Sequence, residues 1–172
     1  MPGLVAIVAP TDAEAPAKKD ALDALIDFDA GLALLSDQTG LPVERLALEE
    51  PLPSDVRDPS EFQGSRSRYE LTLALARGED LTVRQLLVRL MATRGQQVVA
   101  GSPTTIADLI EEWFQSRACD GFNLQPATLP QGLEDFVELV VPELQRRGLF
   151  RREYTGSTLR DHLGIPDPRT RR

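Results

Sequence analysis

The stretch Cys119–Gly148, "CDGFNLQPATLPQGLEDFVELVVPELQRRG", constrains the fold more than any other. An apolar segment of about four residues around Asn123 reads as a short strand. It runs into a loop holding Pro126 and Pro130. Leu133, Phe136, Val137, Val140, Val141 and Leu144 then fall on one face of a helix, at spacings of three and four. Pro142 should kink that helix, because it removes one hydrogen bond and its ring clashes with the preceding turn. Gly148 is placed to stop it in the left-handed conformation. Strand, loop and apolar-faced helix make one βα unit, and α/β folds carry their chemistry in the loop after the strand.

The rest of the chain must supply partners for that strand. "GLVAIVA" near the N-terminus is a continuous apolar run that reads as a strand buried on both faces. A helix follows, with Thr11 and Glu14 as a candidate capping box, Pro16 as a candidate first-turn residue, and a stripe of Leu22, Leu25 and Ile26. "GLALLSD" predicts a short helix stopped at Gly40-Leu41-Pro42. Residues 41–63 hold four prolines and many acids and read as a long surface loop within an insertion. "SRSRYELTLALARGEDLTVRQLLVRLMAT" predicts two helices broken at Gly78, the second opened by a Thr82/Gln85 capping box. "QQVVAGSP" is a third candidate strand, leading into a helix with Ser102 as N-cap and Pro103 in its first turn. That helix presents Ile106, Leu109, Ile110, Trp113 and Phe114, a pattern expected of core. Two or three strands cannot cover this many apolar helix faces, so the chain reads as part of a larger fold.

Composition narrows the function classes. Residues 1–60 carry 12 acids against 4 Lys/Arg, and residues 61–172 carry 15 of each. The acidic half argues against nucleic acid, which demands a basic face. The basic tail from Arg146 onward is expected to be a solvated C-terminus. No apolar run reaches the roughly 18 residues of a membrane span. "MPGLVAIVAP" lacks the basic segment and cleavage site of a signal peptide, and one cysteine, Cys119, fits a reducing compartment, so a cytoplasmic location is expected.

The segment "VVAGSPTTIADLIEEWFQSRACDGFNLQPATLPQGLEDFVELVVPELQRRGLFRREYTGSTLRDHLG" resembles the C-terminal end of the luciferase-like flavin monooxygenases of the nitrilotriacetate and dibenzothiophene-sulfone monooxygenase type. "PGLVAIVAPTDAEA" resembles the seventh barrel strand and following helix of that family, and "GLALLSD" with "SRYELTLALA" resembles its insertion. The resemblance implies an α/β, helix-rich chain: an incomplete (β/α)8 TIM barrel contributing the last two strands, their helices and a largely helical insertion over about residues 28–95. It implies oxidation of a small organic substrate by reduced FMN and O2, the flavin arriving from a separate NAD(P)H:flavin reductase. It also implies that most FMN contacts lie in the absent first six strands, and that the chain is truncated or one piece of a split gene. A complementary N-terminal barrel chain or self-association would then be expected as partner. Gln96 departs from the family, which often has a histidine after the corresponding glycine.

Within that frame Asn123 and Gln125 end the strand whose loop should carry chemistry, and an amide can donate and accept together. Arg94 and Gln96 precede "QVVAG", where a positive charge could meet an anionic substrate or the flavin phosphate. No catalytic residue is assigned. His162 sits in the tail, Cys119 reads as a small buried hydrophobe, and one Cys with one His makes no metal site. Two rival readings remain: a non-catalytic subunit that docks to a partner chain, and a helix-turn-helix DNA binder presenting Arg84 and Arg89.

Overall fold

The run Gly3–Val8 forms β1, with every residue from Leu4 to Val8 buried. The computed structural model describes residues 1–56, 64–93, 96–154, 156–166 and 169. In it Gln97–Gly101 forms β2, parallel to β1 from Leu4–Gln97 to Val8–Gly101. Asn123–Leu124 forms β3, parallel to β1 on its other edge. The sheet order is β2-β1-β3, so the two strands expected as barrel neighbours do pair, and the third candidate strand takes the remaining edge of β1. A longer sheet could continue only from the outer edges of β2 and β3. β3 is two residues rather than four. Gln125 still donates its amide to Leu4 O at 2.8 Å, but Pro126 has no N–H with which to extend the ladder.

One sheet face is covered by helices. Ala6 and Val8 pack with Ile106 and Ala107 of α5 (Pro103–Gln115) and with Phe136, Val140 and Leu144. The last three lie on one continuous helical segment made of α6 (Gln131–Asp135), a π-helical turn (Phe136–Val140) and α7 (Val141–Arg146). The expected kink takes the form of that π turn. Pro142 cannot donate to the fourth carbonyl back, and its ring crowds that carbonyl; just before it the backbone widens, and Val141 N reaches Phe136 O, five residues back. Along this segment Phe136, Val140 and Leu144, four residues apart, are buried, while Leu133 and Val137 are exposed. Gly148 adopts φ +74° and Leu149 N bonds Leu144 O at 2.9 Å, closing the helix as expected.

Phe114 corrects a second expectation. It is 51% exposed, because the sheet offers only the two-residue β3 beneath the last turn of α5; Trp113 is half-buried against the Phe122 ring at 5.8 Å. Cys119 is likewise only half-buried.

Helix α1 (Ala15–Asp23) takes Pro16 in its first turn, and its N-cap is Glu14. Thr11 is therefore not the cap; its hydroxyl donates to the Glu14 carboxylate at 2.7 Å instead. Leu25 lies beyond the helix end and is 80% exposed, so the expected stripe is cut short. Three further helices, α2 (Phe28–Thr39), α3 (Arg66–Gly78) and α4 (Val83–Thr93), build a second core around Leu35, Ala76, Val83, Leu86, Leu87 and Leu90. α2 is longer than "GLALLSD" because Asp27 caps it upstream, accepting from the Asp29 and Ala30 amides, and Gly40 ends it at φ +69°. The Thr82/Gln85 capping box is present, with bonds of 3.0 and 3.3 Å. The segment after Gly40 is not a free surface loop. Leu41 and Leu46 are buried in the second core, and the carbonyls of Leu48 and Glu50 accept from Arg84 N and Val83 N at 2.8 Å. Residues 57–63 of that expected loop lie outside the described residues.

Candidate functional site

Strand alternation divides the sheet. Leu124 pairs with Leu4 and packs toward the helix-covered core, and Phe122 meets Trp113 of α5. Asn123 must then share the opposite face with Val5 and Ile7. It pairs in register with Gly3. On the other side of Gly3 lies Gln96, whose Oε1 would stand 2.1 Å from a Cβ built on that glycine. Two of the four expected site residues, Asn123 and Gln96, therefore flank one glycine on one face, each about one strand spacing of 4.8 Å from it. Neither side-chain amide is hydrogen-bonded within the described residues.

A cavity of about 900 Å3 opens over this face. Its floor is Val5, Ile7, Val98 and Ala100, and Ala127 and Thr128 of the loop after β3 join its wall, with Gln96 at its border. The loop that the sequence singled out thus does reach a cavity. Charges at the cavity rim are matched: Lys19 is ion-paired with Asp23, Asp27 caps α2, and Arg89 donates to Glu79 at 2.7 Å. The floor is apolar, suited to a flat hydrophobic body, with Gln96 on its border; Asn123 shares this face but is exposed and does not line the cavity. Gln125 is exposed and does not line the cavity. Arg94 lies outside the described residues.

This arrangement sits at the N-terminal end of β1, not the carboxyl end where α/β chemistry is expected. The carboxyl end holds a different cluster, which the sequence reading missed. Asp12 Oδ1 accepts from Ser102 N and from Thr105 Oγ1, both at 2.7 Å. The Ser102 amide first, and the Thr105 hydroxyl next, hold the Asp12 carboxyl below its ordinary pKa. Lys18 donates to Val8 O at 2.7 Å and to Asp135 at 2.6 Å, and this bond, with Gln131 second, lowers the Asp135 pKa. Asp12 fills the N-terminus of α5, so that helix end is closed to a phosphate. The available signal was Asp12 itself, an acid just past the first strand that lies between the two residues read as a capping box, Thr11 and Glu14.

The remaining candidates separate from the cavity. His162 lies in the C-terminal tail against the Tyr154 ring at 4.5 Å. Arg84 and Arg89, offered as a DNA-reading pair, are ion-paired with Glu49 and Glu79 at 2.7 Å rather than standing as an unopposed basic face. Among the described residues no three His, Cys, Asp or Glu side chains are grouped to hold a metal ion, and no helix is long and apolar enough to cross a membrane.

No family model matches the chain. It is 47% identical over 170 residues to nitrilotriacetate monooxygenase component A of Aminobacter aminovorans, matching 98% of this chain and 37% of that protein. It is 40% identical to the N-acetyl-S-(2-succino)cysteine monooxygenase of Bacillus subtilis, again over 98% of this chain and 38% of the relative. Dibenzothiophene-sulfone monooxygenase of Rhodococcus erythropolis is 34% identical, over 94% of this chain and 36% of that protein. Among solved structures, the EDTA monooxygenase of Chelativorans sp. BNC1 superposes with a TM-score of 0.60 at 35% identity, covering 96% of this chain and 38% of that one. DmoA of Hyphomicrobium sulfonivorans gives a TM-score of 0.71 at 28% identity, covering 94% and 33%. The chain thus spans about a third of the length of the relatives it matches.

Proposed function

This chain is a homologue of the luciferase-like monooxygenases of the nitrilotriacetate and dibenzothiophene-sulfone monooxygenase family over about a third of their length, and from that premise we propose that it forms the C-terminal part of an FMN-dependent monooxygenase. In this reading β1 and β3 are the last two strands of a (β/α)8 barrel, and the lobe of α2, α3 and α4 is its insertion, over about residues 28–95. The observation that carries it is the pairing of sequence identity with near-complete coverage of this chain by one family.

The residues present fit a flavin in part. An apolar face of Val5, Ile7, Val98 and Ala100 can carry a flat ring, and the Gln96 amide on its border can donate to and accept from the ring's polar edge, with Asn123 on the same sheet face just outside the cavity. They do not supply a phosphate cradle, since the α5 N-terminus is held by Asp12. Most flavin contacts therefore belong to barrel strands beyond this third. Reduced FMN, when bound, supplies the activation of O2; the protein's contribution is position and exclusion of water. The Gln96–Asn123 pair orients, and the apolar floor keeps the site dry. Gln125, two residues after Asn123 in the chain, and Arg94, three residues before β2, are proposed for the polar edge on sequence position alone. The substrate is a small organic molecule, and a separate NAD(P)H:flavin reductase delivers the reduced flavin.

A second reading, a subunit that acts by docking, is favoured by one feature. The outer edges of β2 and β3 carry no further strand among the described residues, and Leu129, Leu133 and Val137 are exposed on the nearby helical segment.

FMN titration decides between them. The 172-residue chain should leave FMN fluorescence unquenched at micromolar concentration. A chimera with this chain in place of the matching third of nitrilotriacetate monooxygenase component A should bind FMN stoichiometrically. A folded chimera without flavin affinity would favour the docking reading.

A further inference from the structure

Two short rows of exposed apolar side chains lie in the C-terminal part of the chain, each flanked by charge of one sign. The first row is on α6 and the π turn. Leu133 and Val137, one turn apart, are both exposed, Val137 by 52%. Glu134 and Glu138 form the adjoining row and are exposed as well. Neither carboxylate makes an ion pair or hydrogen bond among the described residues.

The second row is in the tail. Leu159–His162 forms a short helix, α8, and Leu163 N continues it by bonding Leu159 O at 3.0 Å. Leu159 and Leu163, again one turn apart, are exposed, Leu159 by 73%. Arg160 adjoins them. The tail owes its shape to local bonds: a Thr158/Asp161 capping box, Arg152 donating to Gln145 O at 3.2 Å, and the Tyr154 ring in contact with Arg151 and His162. Arg151, Arg152 and Arg160 have no carboxylate partner among the described residues. From Arg146 onward the sequence carries 8 Arg against 3 acids.

The two rows match in spacing and oppose in charge, yet within one chain both stay exposed, so they do not cover each other. Apolar area left in water is the driving force that association would use, and the opposite charges select the partner. We propose that the tail of one copy docks on the α6 and π-turn face of a second copy, and the second tail on the first. Leu159 and Leu163 then cover Leu133 and Val137, while Arg151 and Arg160 meet Glu134 and Glu138. Two such contacts about a two-fold axis close on themselves, so association stops at a dimer. The inference does not rest on the flavin reading, and its test contains no flavin.

The experiment is sedimentation of the full 172-residue chain and two charge-reversed variants. The parent should be a dimer at about 100 μM, weakening as salt is raised. Glu134→Arg/Glu138→Arg and Arg151→Glu/Arg160→Glu each set like charges against each other, and each should weaken self-association about a hundredfold or more. All four positions are exposed, so both variants should melt as the parent does at dilutions where it is monomeric. Mixed one to one, the two variants should form a heterodimer, because a reversed face then meets a reversed tail and a native face a native tail. A monomeric parent overturns the proposal and assigns the two rows to a different chain. Undiminished self-association of either variant overturns it too, and places association at the outer edges of β2 and β3. Variants that are monomeric apart and remain so when mixed also overturn it.

Discussion

The Gln96 side chain occupies the space above Gly3, so that a methyl group on that glycine would stand 2.1 Å from Gln96 Oε1. The obstructing atom is the free end of a flexible side chain, so the conflict is relieved by moving Gln96 rather than by distorting β1. Gly3→Ala should therefore fold with a melting temperature close to that of the parent. In the chimera it should weaken FMN or substrate use, because the displaced amide no longer faces the site. Equal flavin affinity with and without the methyl group would remove Gln96 from the site.

Asn123 gives a second test on the same face. It is exposed in this chain, so Asn123→Leu removes no buried hydrogen bond and should leave the melt unchanged. In the chimera the lost amide leaves a partner unpaired, at about 1–3 kcal/mol, or roughly ten- to hundredfold in binding. The check is oxygenation rate against substrate concentration with reduced FMN supplied. An unaltered rate curve would return Asn123 to a surface role.

Acid stability should follow the cluster joining α7 to α5. Arg147, with its side chain 12% exposed, bonds Glu143, Asp108 and Glu111 at 2.6–2.8 Å. Glu143 is held down to a pKa of about 2, by Arg146 first and Arg147 second. A carboxyl lowered in the folded state stabilises above its ordinary value and loses that contribution as pH falls through the lowered one. The parent should lose stability between about pH 4.5 and pH 2, and an Arg146→Ala/Arg147→Met double variant should lose less over that window while starting lower at neutral pH. Denaturant melts at a series of pH values would read this. Parallel curves would show that the cluster does not govern acid unfolding.

Two glycines should respond with opposite sign. Gly148 has φ +74°, and a Cβ there meets nothing within 4 Å, so Gly148→Ala carries only the left-handed backbone cost, about 1 kcal/mol. Gly78 ends α3 in equally open space, and its φ is not in the left-handed region. Gly78→Ala should stabilise by about 0.5 kcal/mol. At about 2–4 °C per kcal/mol for a domain of this size, thermal melts resolve the first and give the direction of the second.

Elements with a local cause were legible in the sequence. Ser102-Pro103, the Thr82/Gln85 box, Gly40 and Gly148 each set a helix end through their own backbone chemistry, and each stands where it was expected. The burial of Leu4–Val8 followed from an uninterrupted apolar run. What depended on distant partners was not legible. Helical periodicity counted Phe114 and Val137 as core, but periodicity cannot say how much sheet lies beneath a turn, nor that Pro142 would open a π turn. The pairing of Asn123 with Gly3 needed a register, and the role of Asp12 needed the fold that brings α5 to it across 90 residues of chain.

We propose that this chain supplies one third of an FMN-dependent monooxygenase. The most direct measurement is oxygenation of nitrilotriacetate by the chimera described above, with reduced FMN and O2 supplied, beside a thermal melt that shows the chimera folded. The account predicts product formation that depends on reduced FMN and falls roughly ten- to hundredfold with Asn123→Leu. A folded chimera that binds FMN yet forms no product would contradict it.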